Sequence, residues 1–155
     1  MKVLFTTAYR TNGQAYDYVA TNVRSRWRIY APKFKSFGLR FIAENVDGIS
    51  IMEYPTYEEF KEALKGNWDV IGISFYLHET WKAIEMAKHA KSLGLEVWGG
   101  NYGVLTPGVD DYFDRIFIGY SEHKIAEVLG QKIDRIKHPP LVREVGLPQF
   151  GFKIK

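Results

Sequence analysis

The chain has 155 residues and a formal charge of +3, with 46% hydrophobic and 25% charged residues. That composition excludes intrinsic disorder, and no apolar run approaches the roughly 20 residues that span a bilayer. With no cysteine in the sequence, disulfides, thiol nucleophiles, cysteine zinc sites and an iron–sulfur cluster on this chain are excluded.

The length suits one domain with its own core. The start, MKVLFTTAYRTNGQ, lacks a long apolar stretch and a small-residue cleavage site, so no secretory signal and a cytoplasmic location are expected. Residues 2–7 (KVLFTT) read as a buried first strand. Residues 8–35 then exceed by far the usual connection of about 2–6 residues. They have room for a helix around 14–23. They also carry Arg24, Arg26, Trp27, Arg28, Lys33 and Lys35, a basic and aromatic run that could grip phosphates or propionates. Such a run is commonly a solvated face, and no nucleic-acid partner is expected.

Residues 36–46 place Phe37, Phe41 and Ile42 near helical spacing. Residues 48–54 read as a second strand, stopped by Pro55. Thr56 with Glu59 forms a capping box for a helix that buries Phe60, Ala63 and Leu64 and ends at Gly66. Residues 69–75 (DVIGISF) are a third strand. The stripe Ala83, Met86, Ala87, Ala90 and Leu93 predicts a helix over 79–93, closed by Gly94. A fourth strand, LEVWGG, ends in Gly99-Gly100, and a fifth covers 115–118. Ser121 is the expected cap of a last helix through Ile125, Val128 and Leu129, ending at Gly130. Residues 131–155, with three prolines at 139, 140 and 148, read as an extended C-terminal arm or linker after an α/β domain over 1–130.

Strand–helix alternation implies parallel pairing with helices on both faces. Five strands predict a flavodoxin-like (Rossmann-like) three-layer sandwich with order 2-1-3-4-5. Ligands in such sheets bind beyond the carboxyl ends of the strands, between strands one and three. The candidate loops are therefore those from Ala8, from Phe75 to Glu79, from Gly99 to Thr106 and from Gly119 to Glu122.

Gly99, Gly100, Asn101, Tyr102 and Gly103 permit either a tight turn or close approach of a planar ligand. Neither a dinucleotide fingerprint nor a P-loop is present. Ser74 can bond a ligand heteroatom or cap the next helix. Phe75, Tyr76 and Leu77 offer apolar walls, and Tyr76 can stack. No histidine pair has helical metal-site spacing, and no metal held by protein side chains is expected. Asp110, Asp111 and Asp114 read as solvating a short helix. A receiver domain is disfavoured, because Ser74 and Thr6-Thr7 stand where its acidic residues belong.

One ordered set of features goes further: Asp69–Ser74 (DVIGIS), a helix, a strand ending in Gly99-Gly100, Pro107, and a strand entering the turn Gly119-x-x-Glu122. Together they resemble the cobalamin-binding domain found N-terminal to radical S-adenosylmethionine enzymes. The upstream FGLRFIAENVDGISIMEYP is similar to that family's first helix and second strand. The resemblance implies a corrinoid held base-off at the carboxyl edge, its nucleotide tail beside Ser74 and the Gly99-Gly100 turn. Ser74, Gly99, Gly100 and Gly119 match the family's positions. Phe75, Tyr76, Leu77, Asn101, Tyr102 and Tyr120 are implied as neighbours. The Asp-x-His-x-x-Gly motif is absent, so no histidine ligand to cobalt is expected. The family's Gly-Glu-Gly-Glu turn is Gly119-Tyr120-Ser121-Glu122 here, with added bulk at Tyr120. A radical enzyme needs three cluster cysteines, so the implied partner is a radical S-adenosylmethionine catalytic domain on another segment or chain. The alternatives are a cofactor-free interaction domain, with the cleft blocked by Tyr120 or by the 8–35 segment, and a small nucleotide or flavin enzyme. The last lacks a convincing acid, base or nucleophile cluster.

Overall fold

The computed structural model describes residues 1–11 and 36–139. The expected helix around 14–23, the basic run up to Lys35 and the chain from 140 onward lie outside the described residues. Five strands, β1 (Val3–Thr7), β2 (Ile49–Met52), β3 (Val70–Ser74), β4 (Glu96–Gly100) and β5 (Arg115–Phe117), form one sheet. The order is β2-β1-β3-β4-β5 and every pairing is parallel. The fold is flavodoxin-like α/β, as the alternation predicts.

β1 is buried along its whole length, because a parallel sheet is covered on both faces. That is why the strand reads as a continuous apolar run rather than an alternating one. Helices α1 (Phe37–Asn45) and α4 (Glu122–Val128) cover one face. Leu39, Ile125 and Ala126 pack there on Val3, Phe5, Val70, Trp98 and Phe117. Helices α2 (Tyr57–Ala63) and α3 (Thr80–Ser92) cover the other. There Phe60, Ala83, Met86, Ala87 and Ala90 pack on Leu4, Ile71, Ile73 and Val97. Among the described residues no helix is long and apolar enough to cross a membrane.

The capping box at α2 is present: the Thr56 hydroxyl accepts from Glu59 N at 3.1 Å, and Glu59 Oε2 accepts from Thr56 N at 2.7 Å. The cap expected at Ser121 is not. Its hydroxyl donates back to Gly119 O at 2.9 Å, tightening the turn before α4 instead of closing the helix end. Leu93, expected in the buried stripe, is exposed, because α3 ends at Ser92 and the chain turns at Gly94, φ +79°. Asp114 does more than solvate a turn. Its carboxylate accepts from Val97 N at 2.7 Å and pairs with Lys91 at 3.0 Å, joining the start of β5 to β4 and α3.

The described part of the C-terminal arm does not extend away from the domain. Gln131 exchanges two hydrogen bonds with the Asp47 backbone, each 2.9 Å. Asn45 bonds both the N–H and the carbonyl of Lys137, and the His138 ring meets Phe41 edge-on. Gln131, Lys137 and His138 thus pack on α1 and the turn that follows it.

Candidate functional site

The strand register explains a cleft at the carboxyl edge of the sheet. On the face covered by α1 and α4, the last row across the sheet is Thr7, Ser74, Gly100 and Phe117. Three of those four are small, so the helices stand over open space there. One row below come Phe5, Gly72 and Trp98. The Phe5 and Trp98 rings lie 6.1 Å apart, and Phe5 covers Gly72 so closely that a Cβ there would fall 1.8 Å from its ring. These two rings form an apolar floor. The cleft above it has a volume of about 630 Å³, within the usual size of a small-molecule site.

The walls come from the first turns of α1 and α4 and from the loops after β2, β3, β4 and β5. The α1 wall is fixed from outside. Arg40 grips Glu53 with two bonds of 2.8 and 2.6 Å, and Glu53 Oε1 also accepts from Ser36 N at 2.6 Å. Hydrogen bonding to Glu53 raises the Arg40 pKa above its ordinary value despite partial burial. A bidentate pair of this kind fixes orientation as well as distance.

Of the residues singled out from sequence, Ser74, Tyr76, Gly99, Gly100, Asn101, Tyr102, Gly119 and Tyr120 border the cleft. Ser74 caps no helix, and Asn101 Nδ2 approaches its hydroxyl at 3.4 Å. Asn101 holds φ +74°, unusual for a residue with a Cβ, while its side-chain oxygen accepts from Tyr102 N at 2.8 Å. Backbone strain of this kind persists where the surroundings enforce it and gathers at binding sites. Gly100 leaves room for a side chain, since a Cβ would meet only Phe117 O at 3.8 Å. Gly99 differs. Its Cβ position points to the opposite core and would lie 3.0 Å from Phe113, so that glycine serves packing. Tyr120 is 93% exposed and leaves the cleft open.

Two expected wall residues need correction. Phe75 is 0% exposed and stacks on Phe113 at 5.5 Å, inside the core on the α2 and α3 face. Strand alternation sends it there, one residue past Ser74. Leu77 opens a short 3₁₀ turn, Leu77–Glu79, and points to solvent away from the cleft lining.

Other lining residues were missed from sequence: Phe5, Trp98, Tyr54 and the first turn of α1, while Glu79 and Glu122 end two of the expected loops without being singled out as ligand residues. Period-two alternation from Ser74 and Gly100 would have found Gly72 and Trp98. Tyr54 and the two glutamates come together only through the fold. Glu79 is buried and its Oε2 accepts from Tyr76 N at 3.0 Å. Burial, followed by the neighbouring Tyr76, Glu79 and Glu53, pushes the Tyr54 phenol above its usual value, keeping it a protonated donor at neutral pH.

His78 lies at the rim, its ring stacked on Tyr76 at 6.2 Å and outside the cleft lining. Among the described residues no cluster of three or more His, Asp or Glu could hold a metal ion. An apolar floor with a few convergent polar groups is the makeup of a ligand-holding site. No family model, curated protein or solved structure matches the chain.

Proposed function

We propose that this domain is a corrinoid-binding module that holds cobalamin base-off, without a histidine ligand to cobalt. The observation that carries the reading is the row Thr7, Ser74 and Gly100 above the floor of Phe5 and Trp98. It makes an open cleft where parallel α/β sheets bind ligands, at the switch between β1 and β3. The volume of about 630 Å³ suits a nucleotide-sized group, not a whole corrin. The residues present therefore fit the cofactor's tail. Ser74, Asn101 and the Tyr54 phenol would offer it hydrogen bonds, and Gly100 and Gly119 would let backbone approach it.

A bound corrinoid supplies cobalt–carbon chemistry, and this chain's part is to bind and orient it. The cluster-bearing partner, a radical S-adenosylmethionine domain or chain, would meet the domain at the cleft mouth. Tyr76, Tyr102, Leu105, Ile118 and Tyr120 are all exposed in the loops of that edge, an apolar rim of the kind that marks contact surfaces. A cofactor-free interaction domain with its cleft blocked by Tyr120 is not favoured, because that side chain stands in solvent.

The test is equilibrium binding of hydroxocobalamin to the chain and to Ser74→Tyr. The variant is expected to lose binding by at least about tenfold, through loss of a hydrogen bond and steric filling, with an unchanged circular dichroism spectrum. Equal affinity in the two proteins would remove the corrinoid from this cleft.

A further inference from the structure

Glu122 is the first residue of α4 and lines the cleft, yet it is only 6% exposed. Each of the other acidic groups around the cleft has a bond that accounts for it. Glu79 accepts from Tyr76 N, and Glu53 is held by Arg40 and Ser36 N. Ser121, beside Glu122, spends its hydroxyl on Gly119 O. The Glu122 side chain has no hydrogen bond or ion pair among the described residues. A buried carboxylate left without a donor costs free energy relative to one that is bonded, and such a group in a native structure calls for a partner.

We infer that Glu122 is the polar specificity residue of the cleft, accepting a hydrogen bond from an N–H or O–H donor of the bound ligand. This rests on the corrinoid reading and says which chemistry the cleft selects. A carboxylate has only acceptor oxygens. It favours a neutral amide or a hydroxyl and repels a phosphate placed against it. A corrinoid offers both kinds of donor: amides around the ring and a ribose hydroxyl in the tail. The phosphodiester of the corrinoid tail, like a flavin or nucleotide phosphate, would face like charge at Glu122 and must lie elsewhere in the cleft.

The test compares Glu122→Gln and Glu122→Leu with the parent chain, using hydroxocobalamin and cobinamide, which keeps the ring amides but lacks the ribose and base. Glu122→Leu removes the acceptor and is expected to weaken hydroxocobalamin about tenfold or more. Glu122→Gln keeps a carbonyl acceptor and is expected to recover most of that loss. If the leucine penalty persists with cobinamide, the donor is a ring amide. If it vanishes, the donor is the ribose hydroxyl. A leucine variant with parental affinity, or one no weaker than the glutamine variant, overturns the assignment while leaving corrinoid binding in place. A parent chain that binds neither corrinoid overturns the corrinoid reading and this assignment together. Thermal melting of all three proteins separates a purely structural role, in which both variants lose stability and neither loses affinity.

Discussion

Two adjacent glycines at the end of β4 show how one residue decides between packing and binding. Both were expected to serve the ligand, because spacing alone cannot tell which face each one meets. In a strand successive side chains point to opposite faces, and here the two Cβ positions meet different surroundings. At Gly99 a Cβ would press on Phe113 at 3.0 Å and Val104 at 3.2 Å, while at Gly100 it would meet only Phe117 O at 3.8 Å. Gly99→Val is therefore expected to destabilise the domain by about 1–3 kcal/mol through overpacking. Gly100→Val is expected to fold normally and lose corrinoid binding. Urea unfolding and a cobalamin titration on the two variants separate the effects. A reversed pattern would show that the faces are misassigned.

Among the elements, the strands and their order were legible because buried parallel strands between capped helices leave a strong pattern. DVIGIS and EVWGG carry it plainly, and Thr56 with Glu59 marked a helix start that the structure repeats. Bonds between elements were not legible. Nothing in the sequence announces that Asp114 accepts from Val97 N and pairs with Lys91, or that Gln131 bonds Asp47 and Lys137 bonds Asn45, tying the arm to the end of α1 and the turn after it. The tail reads as an extended arm or linker, and whether it folds back is not legible, because the partners of Gln131 and Lys137 lie at sequence separations of 84 and 92. Burial alone would raise the Asp114 pKa, but the Val97 N–H and Lys91 outweigh it and hold the carboxyl below its ordinary value. A folded-state pKa below the unfolded one adds stability that is complete above the unfolded value and is lost as pH falls through the folded one. Asp114→Asn is thus expected to lower stability at neutral pH and to flatten its decline below about pH 4, where an unfolded aspartate titrates. Urea midpoints from pH 7 down to pH 3 check this, and an unchanged acid slope would dissociate Asp114 from it.

For the whole molecule, the position of the cleft follows from topology. A 2-1-3-4-5 sheet has its switch point between β1 and β3, and the cleft opens there. Its depth and chemistry did not follow. They depend on Phe5 and Trp98 meeting over Gly72, and on Tyr54, Glu79 and Glu122 arriving from three separate loops and turns. Such convergence is a property of packing, which one sequence does not display. The central claim is that the cleft takes the nucleotide tail of a corrinoid. The most direct measurement is the absorbance spectrum of the chain after incubation with methylcobalamin and desalting. About one corrinoid is expected to be retained per chain, with the base-off spectrum that follows when the tail leaves cobalt for the protein. A chain that emerges without corrinoid, or with corrinoid still base-on, would contradict it.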